Sequence, residues 1–134
     1  MSIEKVAVLG LGKVGHLAAE LLQGSGFVIT PIDRRPVKTP ALQAEVVDVA
    51  DVAALRRALT GQHAVLSCLP YALNKGVASC AHELGIHYFD LTEDVPTTQH
   101  IRKLAESSRA LMAPQCGLAP GFIGIVGADL ANPF

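Results

Sequence analysis

The stretch Val6-Ala7-Val8-Leu9-Gly10-Leu11-Gly12-Lys13-Val14-Gly15 decides how the rest of the chain is read. A short apolar run enters a G-x-G-x-x-G turn, and the turn opens into an amphipathic helix. In a dinucleotide-binding βαβ unit each glycine has its own task. Gly10 allows the reversal after the strand, Gly12 lets backbone N–H groups approach a pyrophosphate, and Gly15 lets the helix pack closely on the strand. The anion would rest on the helix N-terminus, where unpaired N–H groups and the macrodipole favour negative charge. Leu11, Lys13 and Val14 fill the variable positions of the loop and belong to the same candidate cofactor-binding set.

The motif is widespread, so its surroundings carry the weight. Over residues 13–23, Val14, Leu17, Ala18, Leu21 and Leu22 recur at helical spacing and predict the inward stripe. Gly24 is placed to stop this helix. A second strand is expected over residues 27–32, irregular at its end because Pro31 cannot donate to a ladder. Asp33 follows 18 residues beyond Gly15, against the roughly 20 expected for an acid that binds the adenine ribose. A carboxylate there accepts from the ribose hydroxyls of NAD and repels the 2′-phosphate of NADP. Arg34 and Arg35 pull the other way, since arginine at this point holds a 2′-phosphate in many domains. They read equally as solvated loop charges beside Pro36. With Asp33 ahead of them the expected cofactor is NAD, with NADP left open.

Strand and helix signals then alternate to the end. Residues 44–47 suggest a third strand ending at Asp48 and Val49, and Asp51 a cap for a helix carrying Val52, Leu55 and Leu59, closed by Gly61. Residues 64–69 form a continuous apolar strand that leads through Cys68, Leu69 and Pro70 to Tyr71. A helix follows to Leu84, with Gly85 as its stop. Residues 86–89 make a fifth strand ending at Asp90, Thr97 or Thr98 would cap a further helix, and residues 110–113 make a sixth strand. Short connections between continuous apolar strands mean a doubly wound parallel α/β sheet, the Rossmann NAD(P)-binding architecture, with about six strands and helices on both faces. In such a sheet ligands bind outside the carboxyl ends of the strands. Gly10, Asp33, Asp48, Leu69, Pro70, Tyr71, Asp90, Gln115, Cys116 and Gly117 all fall there, and the segment from Cys68 to Tyr71 would pass beneath the ribose and nicotinamide side of the cofactor. Asp48 reads either as a contact to adenine or as a turn aspartate.

Composition narrows the function classes. The chain has 134 residues, one domain's worth. Eleven basic against 12 acidic residues and 4% aromatics argue against nucleic-acid binding. The start Met1-Ser2-Ile3-Glu4 lacks the basic and apolar regions of a signal peptide. The longest uncharged stretch, residues 110–128, is broken by Pro114 and Pro120 and makes a poor membrane helix. Cys68, Cys80 and Cys116 are odd in number and read as reduced thiols of a cytoplasmic protein. The five histidines show no metal-like grouping, so no metal is assigned. Lys13 and His16 read as surface residues, and Glu93 with Asp94 as a solvated turn.

Beyond the nucleotide loop, Cys68-Leu69-Pro70-Tyr71, His87-Tyr88-Phe89-Asp90-Leu91-Thr92 and Cys116-Gly117-Leu118-Ala119-Pro120-Gly121 stand in order along the chain. In these pieces the sequence resembles the N-terminal NAD(P)-binding domain of the saccharopine dehydrogenase and lysine dehydrogenase family. The resemblance implies oxidation of a carbon–nitrogen bond of an amino acid by a nicotinamide cofactor, or the reverse. It also implies a second domain that contacts substrate and dimerises, so the chain reads as a cofactor domain cut from a longer enzyme and inactive alone. The apolar residues Phe122, Ile123, Ile125, Val126 and Leu130 fit an interface helix and an expected homodimer. Tyr71, Asp90 and Cys116 become the candidate catalytic residues: Tyr71 after a strand and proline, Asp90 at a strand end, and Cys116 matching the family's cysteine beside the active site. The rival reading is a nucleotide-sensing regulatory domain of the potassium-transport type, which opens with the same glycine pattern. Such domains carry an acidic, Asn-containing segment where this chain has Leu69-Pro70-Tyr71.

Overall fold

The computed structural model describes residues 3–116. The elements run β1 (Lys5–Leu9), α1 (Lys13–Gly24), β2 (Val28–Asp33), β3 (Glu45–Val46), α2 (Val52–Leu59), β4 (Ala64–Ser67), α3 (Tyr71–Leu84), β5 (His87–Asp90), α4 (Val95–Ala105) and β6 (Met112–Ala113). Every named pairing is parallel, and the six strands lie in the order β3-β2-β1-β4-β5-β6. The chain therefore winds outward from β1 to β3, then crosses back to place β4 on the other side of β1. That is the expected Rossmann topology, with its switch point between β1 and β4.

Alternation along the central strands splits the core between two faces. Val6, Val8, Ala64, Leu66 and Phe89 pack with Ala18, Ala19 and Leu22 of α1. Ala7, Leu9, Val65 and Tyr88 pack with Leu55 and Leu59 of α2, Val77 and Ala81 of α3, and Ile101 of α4. Each large aliphatic side chain removed from water here contributes roughly 1.5–3 kcal/mol before entropy is counted.

Helix α1 sits rotated from the expected stripe. Gly15, Ala18, Ala19 and Leu22 are its buried residues, while Val14, Leu17 and Leu21 are 46%, 50% and 45% exposed. The helix lies so close to the sheet that small residues face it, and the larger apolar ones are turned outward. Gly24 ends α1 without stopping it; Gly26, at φ +99°, takes the left-handed position, and its N–H donates to Gln23 O at 3.1 Å. Pro31 lies inside β2, opposite Val8. The Val28 N–H donates to Glu4 O and Ile32 O accepts the Gly10 N–H at the two ends of β1, so alternate, even-numbered groups of β2 face β1 and the missing N–H of Pro31 falls on the outer edge, before β3 begins.

Other local signals land as expected or within a few residues. Asp51 caps α2 by accepting the Ala54 N–H, whereas Val52 is exposed. Helix α4 is capped not by Thr97 or Thr98 but by Asp94, which accepts both the N–H and the hydroxyl of Thr97. Both threonines are buried. His16 is only partly exposed: Nδ1 lies 3.4 Å from Glu20, and Nε2 is buried without a partner among the described residues. The segments Gly117–Gly121 and Phe122–Leu130 lie outside the described residues. No described helix is long and apolar enough to cross a membrane, and no described cluster of three His, Cys, Asp or Glu could hold a metal.

Candidate functional site

The glycine turn is built by two constraints. Gly10 has φ +86°, and a Cβ there would lie 3.0 Å from the Cys68 carbonyl oxygen, so the left-handed turn and the neighbouring chain both select glycine. At Gly15 a Cβ would overlap the Gly10 carbonyl itself, which is what brings the first turn of α1 against the end of β1. Gly12 differs: a Cβ there would meet nothing within 4 Å. It is the N-cap of α1, and no side chain caps the helix. The first amides of α1 lack intrahelical acceptors and face that open space, a seat for an anionic group.

A cleft of 410 Å³ opens at this point, along the carboxyl ends of β1 to β4. Its walls are Gly10–Gly12 of the turn, Ile32 and Asp33 at the end of β2 with Arg34 and Arg35 beyond it, Val47–Ala50 after β3, Cys68–Pro70 after β4, and Leu73 of α3. The expected set Gly10, Leu11, Gly12, Asp33, Arg34, Asp48, Val49, Cys68, Leu69 and Pro70 is thereby brought together. Lys13 and Gly15 do not line it, and Val14 lines a neighbouring cleft. Size, position and an uncapped helix end all fit an elongated dinucleotide.

Asp33 is held differently from a free ribose acceptor. Its Oδ2 accepts the Leu11 N–H at 2.8 Å, and its Oδ1 accepts the Arg35 N–H at 2.9 Å and Arg35 Nε at 3.2 Å. Burial pushes this carboxyl up, but the Arg35 side chain and the two amides outweigh it and leave the net below the ordinary value. The carboxylate is thus ionised, 7% exposed and already paired with a guanidinium. The expected preference for NAD, which rested on Asp33 standing ahead of the two arginines, finds no support in this arrangement. Asp48 accepts the Ala50 N–H at 3.0 Å, the geometry of a turn aspartate, while also lining the cleft.

Asp90 proves to be a buried junction. It is 0% exposed. One carboxylate oxygen accepts the Tyr88 hydroxyl at 2.6 Å, the other the N–H groups of Thr92 and Gln115 at 3.0 Å each. Its carbonyl accepts the Cys116 N–H at 2.7 Å. One side chain therefore ties the loop after β5 to the loop after β6, where Gln115 takes φ +60°. Burial and the adjacent carboxylate push the Tyr88 hydroxyl well up. Burial, then Asp90, raises the Cys116 thiol, which donates to Ala113 O at 3.3 Å. The Cys68 thiol is pushed up by burial to about 12. Both thiols stay protonated near neutrality and are poor nucleophiles as they stand.

Tyr71 is the first residue of α3, 59% exposed, and lines the second cleft with Val14, Leu69 and Leu91–Glu93. Two polar residues have structural roles that the sequence scarcely signals. Ser67 donates to Asn74 Oδ1 at 2.6 Å, a buried brace between the end of β4 and α3; an asparagine on the inner face of α3 was its only signal. Thr92 is buried in the loop beneath Glu93, accepting the Asp94 N–H at 3.1 Å.

Comparison with known proteins agrees with this geometry. The model of the family described as "Saccharopine dehydrogenase NADP binding domain" matches residues 6–115. Among solved structures, apo saccharopine dehydrogenase (L-Glu forming) from Saccharomyces cerevisiae aligns at 20% identity and TM-score 0.65, over 94% of this chain and 30% of that one. A uronate dehydrogenase variant from Agrobacterium tumefaciens, complexed with NAD, aligns at 13% identity and TM-score 0.70, over 99% and 74%. The GsuK channel aligns at 18% identity and TM-score 0.66, over 98% and 24%. The chain spans 30% to 47% of the length of three of the structures it matches, the yeast enzyme among them. At these identities the structural likenesses establish the fold. With the family match spanning most of the described residues, the chain belongs to the saccharopine dehydrogenase NADP-binding domain family.

Proposed function

We propose that this chain binds NADP(H) for an oxidoreductase that acts on the carbon–nitrogen bond of an amino acid. The observation that carries the reading is the cleft running from the uncapped N-terminus of α1 to the Asp33–Arg35 corner. The amides around Gly12 would hold the pyrophosphate. At the adenosine end, Arg35 neutralises Asp33, and Arg34 and Arg35 both line the cleft. A 2′-phosphate would therefore meet two guanidinium groups and a compensated carboxylate, which favours NADP over NAD.

When bound, the nicotinamide supplies the hydride acceptor. This chain's residues do the holding. Cys68–Pro70 support the ribose and nicotinamide side, and the Asp90 junction fixes the loops after β5 and β6. Tyr71 and Cys116 are the residues we assign to substrate, Tyr71 from the second cleft and Cys116 from the family resemblance. Asp90, buried and saturated, acts through the loops it positions.

The second reading, a nucleotide-sensing regulatory domain, draws on the shared glycine turn and the likeness of fold to a channel. One experiment separates the two: incubate a longer form carrying this chain with NADP⁺ and L-lysine or saccharopine and follow nicotinamide absorbance. Amino-acid-dependent reduction supports the dehydrogenase. Tight nucleotide binding without turnover, in this chain and in any longer form carrying it, supports the sensor.

A further inference from the structure

A second cleft of 430 Å³ adjoins the first, with Cys68 and Leu69 lining both. Val14, Leu69 and Leu91 give it apolar walls, Tyr71 and Thr92 bring hydroxyls, and Glu93 is the one charged residue among the described residues that line it. No hydrogen bond or ion pair joins the Glu93 carboxylate to another described residue.

The exposed carboxylate nevertheless stands on a fixed loop. On one side the Thr92 N–H is tied to buried Asp90 at 3.0 Å. On the other the Asp94 N–H is tied to Thr92 Oγ1 at 3.1 Å, and Asp94 caps α4. A loop already ordered adds no backbone ordering cost when a ligand arrives, leaving only that of the Glu93 side chain. Together the two clefts present Arg34, Arg35 and the positive end of α1 to one half of a ligand, and a lone negative charge to the other.

We propose that the second cleft is a subsite for a cationic group, with Glu93 as its counter-ion and the Tyr71 ring beside it. This rests on the reading of the first cleft as a dinucleotide site. Two sources carry the required charge: the oxidised nicotinamide ring, and the ammonium of an amine substrate. A carboxylate in contact with either is worth about five-fold in affinity even when well hydrated, and an aromatic face adds to the preference for a cation.

The test compares the wild-type chain with E93Q at low ionic strength. Dissociation constants are measured for NADP⁺, for NADPH, and for L-lysine added to the NADPH-loaded chain. Thermal unfolding of both proteins is recorded to show that the exposed substitution leaves the fold intact. If Glu93 faces the nicotinamide ring, E93Q weakens NADP⁺ about five-fold while NADPH changes by less than about two-fold. If it faces the substrate, the two dinucleotides keep their ratio and L-lysine binding weakens by a similar factor. E93D should recover part of either loss. The proposal is overturned if E93Q shifts NADP⁺, NADPH and L-lysine equally, or none of them, and likewise if the ratio of the two dinucleotides is unchanged while the wild-type chain binds no L-lysine. Failure of the wild-type chain to bind either dinucleotide would instead remove the dinucleotide reading itself.

Discussion

Asp33 Oδ2 accepts the backbone N–H of Leu11 at 2.8 Å, joining the end of β2 to the middle of the glycine turn. The contact is buried, so the carboxylate shapes the nucleotide loop before it meets any ligand. Asp33→Ala leaves that amide without its acceptor, a cost of about 1–3 kcal/mol. Chemical denaturation should show a loss in this range together with weaker dinucleotide binding. A variant as stable as the wild type would show that the loop holds its shape without Asp33.

Gly15 tests the packing of α1 on β1. Its missing Cβ is the space occupied by the Gly10 carbonyl, so Gly15→Ala must move backbone against backbone. Overpacking of this kind costs about 1–3 kcal/mol or more. We expect a lower Tm and at least a ten-fold loss of NADPH affinity. Gly12→Ala, where a Cβ meets open space, should leave Tm nearly unchanged and weaken only binding. Equal effects on Tm at the two glycines would contradict this division of roles.

On the proposed reading, Arg34 and Arg35 set the cofactor choice. Replacing both by alanine removes two candidate partners of a 2′-phosphate and frees the Asp33 carboxylate from its ion pair. NADPH binding should weaken by about ten-fold or more, the worth of one to two charge-assisted hydrogen bonds. NADH binding should hold or improve. Parallel titrations of both dinucleotides give the ratio, and an unchanged ratio would exclude these arginines from selectivity.

One histidine at the amino end of β5 makes stability depend on pH. His87 Nδ1 accepts the Leu111 N–H at 3.0 Å, and His63 Nδ1 accepts the N–H groups of Glu4 and Lys5 at 3.0 and 3.1 Å. The accepting nitrogen of His87 must be unprotonated. Burial, followed by the neighbouring His63, lowers His87 below its ordinary 6.5. Below about that value the unfolded chain takes up a proton that the folded chain refuses, so stability falls with pH until the folded value is passed. Thermal unfolding should give a lower Tm at pH 5.5 than at pH 7.5. His87→Asn, which can still accept from Leu111, should shrink the difference. A pH-independent Tm over this interval would refute the coupling.

Much of this architecture was legible in the residues, because continuous apolar strands alternating with capped amphipathic segments allow few other folds. The glycine turn, Asp51, Gly85 and the strand-end positions of Asp33 and Asp90 all follow from local chemistry. The inner face of α1 did not, since hydrophobic periodicity selects Val14, Leu17 and Leu21 while tight approach to the sheet selects Gly15, Ala18 and Ala19. The α4 cap was concealed by two threonines that turn inward. The pairing of Asp33 with Arg35, and the junction at Asp90, depend on how separate loops meet, which spacing alone does not encode.

The central claim is that the Gly10–Gly12 cleft holds a nicotinamide dinucleotide. The most direct test is titration of the chain with NADPH, read by nicotinamide fluorescence and by Tm. The account predicts saturable one-to-one binding, with about 2.7 kcal/mol of added stability at a hundred-fold excess over Kd, lost in Gly15→Ala. Absence of binding and of any Tm shift with both NADPH and NADH at millimolar concentration would contradict it.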